Sequence, residues 1–193
     1  MMPHRNRWRA VALATVFLSA AIPAAPKPET LAACETCHGK GGNSQIARTP
    51  SIAGQPATFI TNQLIYFREG LRASPVMQSI AKGMKDKDAI ELADHFSKSQ
   101  ALIVSPGAAD PKLEARGKQL IDSMHCEQCH LPSLLGRAQM PRLAGQREDY
   151  LVHAMLGYRD GKRTGADTTM TEVLYGVGDA DIKALGHFLA RRK

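Results

Sequence analysis

Apolar residues recur at every third or fourth position in several stretches of the chain, which is the spacing of amphipathic helices packed against a core. The positions are Phe59, Ile60, Leu64 and Phe67; Ile90, Leu92, Ala93 and Phe96; Leu113, Leu120, Ile121 and Met124; Tyr150, Leu151, Met155 and Tyr158; and Ile182, Leu185, Phe188 and Leu189. No stretch alternates apolar and polar residues convincingly enough to indicate a sheet. The pattern therefore predicts an all-α fold.

Polar residues beside these stretches indicate where helices begin. Asp110 followed by Pro111 is the order expected of an N-cap and the first helical position, so a helix should run from there to about Met124. The last helix of each half should start after an acid-rich turn, because negative charge is stabilised near a helix N-terminus. The two turns contain Asp86 with Asp88 and Asp179 with Asp181.

Two similar halves of the chain can be aligned on a shared Cys-x-x-Cys-His motif, with slips of one or two residues. The matches are 50–55 with 141–146 (both P-x-x-A-G-Q), 67–70 with 158–161 (aromatic-Arg-acid-Gly), Met77 with Met170, Asp88 with Asp181, and Leu92 with Leu185. Such self-similarity indicates a tandem duplication. We predict two domains, unit one at 26–98 and unit two at 111–193, joined by a linker at 99–110 that contains Ser-Pro-Gly.

The first 25 residues have the three parts of a secretory signal peptide. Arg5, Arg7 and Arg9 occur without an acidic residue, and the apolar run 11–22 is followed by small residues. That run is about half of the ~20 residues that a membrane-spanning helix needs, so cleavage is favoured over an uncleaved anchor. The sequence thus predicts export to the periplasm, where membrane association would be peripheral and not integral.

Net charge argues against one class of partner. With 25 Lys and Arg against 18 Asp and Glu, the formal net charge is +7, and removing the three arginines of the signal lowers it to +4. No basic run or interleaving of basic and aromatic residues remains. Nucleic-acid binding is therefore not expected. The remaining positive charge is compatible with a preference for partner proteins whose surface is partly acidic.

All four cysteines belong to Cys-x-x-Cys-His motifs, made of Cys34, Cys37 and His38 and of Cys126, Cys129 and His130. With these Cys and His counts, one such motif should arise by chance only about 0.003 times. A disulfide pair, a thioredoxin-like site or a zinc site would not need a histidine directly after each second cysteine. On a short helix the two thiols lie one turn apart and can form thioethers with the vinyl groups of a haem, whose iron the imidazole then faces. The sequence therefore predicts two covalently attached haem c groups.

This cofactor also accounts for a shortage of aromatic residues. Outside the signal segment eight remain for two domains of roughly 80 residues, which is few for an ordinary core. A haem would supply each domain with a large, flat, apolar body.

The second axial ligand of each iron decides between electron transfer and catalysis. A methionine thioether suits electron transfer, whereas an open position suits ligand binding or peroxide chemistry. Met77 and Met170 occupy matching places, 39 and 40 residues after their histidines, in predicted loops before the last helix. Met84, Met140 and Met155 have no methionine counterpart in the other unit. We therefore predict that Met77 and Met170 are the ligands.

These features resemble the class I cytochromes c, and the duplication resembles the diheme cytochrome c4 family in particular. The resemblance covers nearly all of the chain after the signal and includes G-N-S at 42–44. It implies two tandem class I cytochrome c domains, each with one haem c bound by a histidine and a methionine. It also implies that the carbonyls of Pro50 and Pro141 accept a hydrogen bond from histidine Nδ1. Plausible partners for the haem propionates, with solvated helix ends as the alternative, are Arg68, Arg72, Arg159 and Arg163.

Members of that family are soluble or membrane-attached periplasmic electron carriers. The implied function is transfer of single electrons, without catalysis, from a respiratory donor such as a quinol-oxidising complex to a terminal oxidase or reductase.

Unit one departs from the family pattern because its first helix can be only a stub, and unit two has Leu131 and Pro132 where a glycine usually follows the histidine. A shortened first unit is also similar to the diheme subunit of flavocytochrome c sulfide dehydrogenase, which receives electrons from a flavoprotein. Two alternatives therefore stay open. One is an electron-accepting subunit of a periplasmic dehydrogenase, and the other is a diheme peroxidase-like enzyme with one haem that lacks a methionine ligand.

Overall fold

The computed structural model describes residues 25–103, 107–163, 165 and 168–193. Residues 1–24 of the predicted signal peptide lie outside these ranges. Residues 104–106 of the predicted linker also lie outside them. Across the described ranges, no helix combines the length and the apolar character needed to cross a membrane.

Regular structure in these ranges is helical apart from an isolated bridge between Arg137 and Met140, in agreement with the all-α prediction. Unit one contains α1 (Pro28–His38), a 3-10 turn (Lys40–Gly42), α2 (Ala57–Arg68), α3 (Pro75–Ala81) and α4 (Asp86–Lys98). Unit two contains α5 (Pro111–Ser123), α6 (Glu127–His130), α7 (Glu148–Arg159), α8 (Thr169–Leu174) and α9 (Asp179–Ala190).

Helices α3 and α8 correct the prediction that Met77 and Met170 lie in loops. Both helices are short, with seven and six residues. A helix of fewer than two turns cannot display the apolar repeat by which the longer helices were predicted.

Helix starts lie at the polar residues identified in the sequence, but α4 and α9 begin at Asp86 and Asp179, so these acidic residues form the first turn of each helix and do not precede it. Asp110 Oδ1 accepts hydrogen bonds from two backbone N–H groups in the first turn of α5, at 2.8 and 3.3 Å, and Pro111 is the first helical residue. The predicted N-cap is therefore confirmed. At the start of α4, Asp88 accepts a hydrogen bond from the backbone N–H of Lys85 at 3.2 Å, which satisfies a donor that the helix leaves open.

Unit two is organised by the crossing of α5 and α9, with α7 also packed against α9. Gly117 permits the close approach, because a Cβ at this position would lie 2.4 Å from the carbonyl oxygen of Ala184 and 2.5 Å from the Cβ of Phe188. Arg116 joins the same helices by donating two hydrogen bonds of 2.7 Å to Asp181. The buried core includes Leu120, Ile121, Leu134, Leu151, Met155, Leu174, Ile182, Leu185 and Leu189.

Unit one has a smaller apolar core, where α2 packs against α4. The buried side chains of this cluster are Ile60, Leu92, Ala93 and Phe96. The expectation that Ile90 shares their face is wrong, since this side chain is 52% exposed. The buried stripe of α4 instead includes Ala89, which is three residues before Leu92 and so lies on the same face.

The two units contact each other through the loops that carry P-x-x-A-G-Q and through the start of α7. Asp149 accepts a hydrogen bond from the backbone N–H of Arg48 at 3.0 Å, and Arg147 donates one to the carbonyl of Ser44 at 3.2 Å. The loops at 51–55 and 142–146 also exchange hydrogen bonds. The units are therefore held together by tertiary contacts as well as by the connecting chain.

Candidate haem sites

Each Cys-x-x-Cys-His motif ends in a buried histidine whose ring is held by the loop that follows. His38 Nδ1 lies 2.8 Å from the carbonyl oxygen of Pro50, and His130 Nδ1 lies 2.9 Å from that of Pro141. A carbonyl can only accept, so Nδ1 carries the hydrogen in both rings and Nε2 keeps its lone pair. An imidazole held in this way is oriented to bind a metal ion through Nε2.

The surroundings of both rings favour the neutral imidazole. Burial lowers the pKa of His38 and of His130, and the hydrogen bond to the proline carbonyl opposes this shift. Since burial dominates, both rings are neutral at pH 7, which is the form that binds iron.

The two cysteines of each motif lie three residues apart and share a helix face. Cys34 and Cys37 lie in the last turns of α1, and Cys126 and Cys129 lie at the start of α6 and within it. All four thiols are unpaired, and burial raises the pKa of Cys34 and Cys126. No three Cys, His, Asp or Glu side chains gather as a metal site in the part of the chain that the structure describes. The zinc alternative therefore has no ligand set there.

The two matched methionines lie on corresponding short helices, Met77 in α3 and Met170 in α8, and both are half-buried. The N-cap residue Ser74 accepts a hydrogen bond from the backbone N–H of Met77 at 3.4 Å. Met155 is instead part of the core of unit two, and Met84 packs against that of unit one. Their positions suit packing, and the assignment of the matched pair as ligands stays a prediction.

Two half-buried arginines, Arg72 of unit one and Arg163 of unit two, converge on Tyr150. Arg163 Nη1 donates to the Tyr150 hydroxyl at 3.0 Å, and Arg72 Nη2 lies 3.4 Å from it. Each guanidinium also lies over an aromatic ring, Phe67 for Arg72 and Tyr158 for Arg163. Burial opposes ionisation of Tyr150, but the charges of Arg163 and Arg72 outweigh it and lower the pKa of this phenol to about 7. The cluster therefore carries an excess of positive charge.

Both guanidiniums also fit a carboxylate, a group that the described side chains do not supply to them. No described carboxylate forms an ion pair with Arg72 or Arg163. The Nε of Arg163 is buried and has no hydrogen-bond partner among the described residues. A charge that is partly shielded from water is stabilised by an opposite charge close to it. The carboxylates of haem propionates have the charge and the acceptor atoms that these arginines need.

Arg68 and Arg159 are already paired. Arg68 Nη1 donates to Asp86 at 2.7 Å, and Arg159 Nη1 donates to Asp179 at 2.5 Å. Each also donates to a backbone carbonyl just before the last helix of its unit. These two arginines hold the last helix of their unit in place, whereas Arg72 and Arg163 have no carboxylate partner among the described residues, and their role as propionate partners stays a prediction.

Sequence reasoning missed the contacts between the units. Gln55 and Gln146 end the repeated P-x-x-A-G-Q segment, and both side chains are almost fully buried against the other unit. A signal was present, because a polar residue at the same place in both copies needs a hydrogen-bond partner if it is buried. The sequence did not show which partner each one has.

The helical fold and the paired histidine-and-cysteine sites define a class I c-type cytochrome with two haem attachment sites. The family model described as "Cytochrome c" matches residues 114–193. The chain is 30% identical over 186 residues to cytochrome c4 from Pseudomonas aeruginosa, with 91% of each chain covered. It belongs to the cytochrome c4 family.

Two further similarities extend this result. A thiosulfate dehydrogenase electron acceptor from Thiomonas intermedia (strain K12) is 30% identical over 199 residues, with 98% of this chain and 92% of that protein covered. The crystal structure of reduced recombinant cytochrome c4 from Pseudomonas stutzeri has a TM-score of 0.77 at 27% identity and covers 88% of this chain and 100% of its own. The predicted family, fold class, haem c cofactor and role in electron transport are therefore confirmed.

Proposed function

We propose that this chain is a diheme electron carrier of the periplasm that passes single electrons and catalyses no reaction of its own. The observation that carries the proposal is the duplicated site. Each unit has two unpaired thiols, a buried histidine with Nε2 free, and a methionine at a matched position. When bound, haem c supplies an iron that alternates between Fe(II) and Fe(III).

The chain's own residues would hold that cofactor in three ways. The thiols of Cys34 and Cys37 in unit one, and of Cys126 and Cys129 in unit two, would attach it covalently. The axial ligands would be His38 with Met77 and His130 with Met170, while Pro50 and Pro141 fix the histidine tautomer. The units 26–98 and 111–193, with 99–110 between them, are proposed as two domains that each enclose one haem.

Two features of the chain suit transfer over catalysis. A methionine ligand stabilises Fe(II) and closes the sixth position. Arg72 and Arg163 would bind propionates and so neutralise charge that would otherwise be buried at the contact between the units.

The proposed location and partners follow from the predicted export signal and from the family. The donor would be a respiratory complex such as one that oxidises quinol, and the acceptor a terminal oxidase or reductase. Contact with the membrane would be peripheral, and no nucleic acid is expected as a partner.

A second candidate function is that of an electron-accepting subunit bound to a periplasmic dehydrogenase, of the flavoprotein type or another. The similarity to a thiosulfate dehydrogenase electron acceptor over 98% of the chain favours it. Purification of the native protein distinguishes the two functions. A free carrier should elute alone, and a dehydrogenase that co-elutes in a fixed ratio would overturn the free-carrier proposal.

The ligand assignment is tested by Met77→Ala and Met170→Ala, with Met140→Ala as the control. Each of the first two variants should lose about half of the methionine-to-iron charge-transfer absorption of the oxidised holoprotein, because one of the two irons loses its thioether. Met140 lies in a loop and has no methionine counterpart, so its variant should keep the full band. An intact band in Met77→Ala or Met170→Ala would show that the assigned ligand is wrong. High-spin iron in the unmodified protein would favour a peroxidase-like enzyme.

A further inference from the structure

The peptide group that holds each histidine is hydrogen-bonded at both of its ends. The Pro50 carbonyl lies 2.8 Å from His38 Nδ1, and the N–H of the same peptide, which belongs to Ser51, donates to Gln146 Oε1 at 2.8 Å. A single rigid peptide plane therefore links the histidine of unit one to a side chain of unit two.

The reverse contact has the same form. The Pro141 carbonyl lies 2.9 Å from His130 Nδ1, and the N–H of Arg142, in the same peptide, donates to Gln55 Oε1 at 2.9 Å. Gln55 and Gln146 are counterparts in the duplication, so the two units exchange equivalent contacts in the manner of a two-fold interface.

Each glutamine amide is held by further hydrogen bonds, and Gln146 Oε1 also accepts from the backbone N–H of Arg147 at 3.0 Å. Gln146 Nε2 donates to the Ser51 carbonyl at 2.7 Å, and Gln55 Nε2 donates to the Arg142 carbonyl at 2.9 Å. Because one partner is a donor and the other an acceptor, the orientation of each amide is determined. The glutamines are 3% and 2% exposed, so little water competes for these bonds.

We propose that Gln55 and Gln146 are positioning residues that act across the interface, each on the axial histidine of the other unit. Accepting the peptide N–H polarises the peptide and strengthens its carbonyl as an acceptor, because linked hydrogen bonds reinforce one another. A stronger acceptor draws the Nδ1 hydrogen away from the ring and makes the imidazole a more basic ligand. A more basic ligand stabilises Fe(III) over Fe(II). Docking of the units therefore lowers the reduction potential of both haems.

This inference rests on the proposed function, since it requires that His38 and His130 bind iron. It adds a physical coupling between the two sites that does not depend on direct contact between the cofactors. A change in how the units pack should reach both irons through the two glutamines.

The test uses the full-length holoprotein with Gln146→Met and Gln55→Met, which keep the side-chain length and remove the amide. Nitrogen-15 NMR of the reduced, histidine-labelled protein reports the shift and exchange rate of each Nδ1 hydrogen, and a potentiometric titration reports each haem. Gln146→Met should speed exchange at His38 about tenfold and favour reduction of the haem in unit one by about twofold to tenfold. Gln55→Met should speed exchange of the Nδ1 hydrogen at His130 and favour reduction of the haem in unit two by similar factors.

Two controls separate this coupling from loss of docking. Arg147→Gln removes a contact with the Ser44 carbonyl and the ion pair with Asp149 but leaves the glutamine bonds, so both Nδ1 signals should stay unchanged although contacts between the units are lost. Gln146→Glu keeps an oxygen that accepts from the Ser51 N–H, and burial favours its protonated carboxyl, whose O–H can donate to the Ser51 carbonyl, so the His38 signal should return toward that of the unmodified protein. The proposal is overturned if a glutamine variant changes the Nδ1 signal of the histidine in its own unit and not that in the other unit. It is also overturned if the variant changes the Nδ1 signals of His38 and His130 equally, or changes neither signal. Failure of the ligand assignment is detected separately, by the charge-transfer band of the methionine variants.

Discussion

The two units contain the same histidine site but differ in the helix packing and the apolar core around it. In unit two, α5 crosses α9 closely, and Ala184 and Phe188 of α9 meet Gly117. The counterparts of these two residues in α4 are Glu91 and His95, which are polar. The apolar core is correspondingly larger in unit two than in unit one. The histidine with its proline carbonyl is present in both units, so the site does not depend on that helix crossing. Unit one should depend more than unit two on the haem itself for its core.

A second difference lies directly after the histidine. Gly39 has φ 77° and ψ 164°, and Leu131 adopts nearly the same angles, φ 69° and ψ 157°. This region is nearly exclusive to glycine, so unit two carries backbone strain at a place where unit one has none. The chain that follows also differs, since Gly39 leads into a 3-10 turn and Leu131 does not.

The largest expected effect on the free energy of unfolding comes from adding a side chain at Gly39, and the opposite change is the removal of the side chain at Leu131. Gly39→Ala should lower the free energy of unfolding by about 3–5 kcal/mol, because the new Cβ would lie 2.0 Å from the Asn43 carbonyl oxygen and the backbone angles would become strained. Leu131→Gly should instead raise it by about 1 kcal/mol, since relieved strain outweighs the added freedom of the unfolded chain. Denaturant unfolding of the holoproteins, followed by circular dichroism, measures both. Equal destabilisation by the two changes would refute the difference in strain.

The helix crossing is tested by Gly117→Ala. This variant should lose about 2–3 kcal/mol of unfolding free energy although alanine favours helix, because its Cβ would force α5 away from α9. The loss should be confined to unit two, as judged by the unfolding of each haem environment. Gly178→Ala is the control, since its Cβ would meet open space and the residue, the N-cap of α9, has φ −69°, so the loss should stay below about 1 kcal/mol. A Gly117→Ala protein as stable as this control would contradict the close approach.

The smallest of these effects concerns the arginines that the units share. Arg72→Gln and Arg163→Gln should each lower the reduction potential of the haem in their own unit by about 1 kcal/mol equivalent, because a nearby positive charge that disfavours Fe(III) is lost. Arg68→Gln and Arg159→Gln should leave both potentials nearly unchanged, since these side chains bind Asp86 and Asp179. Potentiometric titration of the four variants measures the contrast. If all four shift the potentials alike, Arg72 and Arg163 have no special relation to the propionates.

Much of the fold followed from local sequence. Helices α2, α4, α5, α7 and α9, the Asp110 cap and the Cys-x-x-Cys-His motifs depend on residues within a few positions of one another, so they could be predicted from spacing alone. The first helix of unit one was expected to be a stub, but α1 has 11 residues because the motif itself forms its last turns. Duplication added the prediction of the matched methionines as ligands, because a ligand copied with its site would keep its place. The short helices α3 and α8 escaped prediction because they have too few residues to show a repeat.

What the sequence by itself determined, then, is the pair of haem c sites and the all-α class, since their chemistry and periodicity are local. Only the tertiary structure decided that Gln55 and Gln146 each reach the peptide that holds the other unit's histidine. It also showed that Arg68 and Arg159 each bind a carboxylate. Arg72 and Arg163 instead contact the Tyr150 hydroxyl and have no carboxylate partner among the described residues. Such contacts join residues that lie many positions apart in the chain. They arise from how two folded units dock, and no local pattern of residue types encodes that geometry.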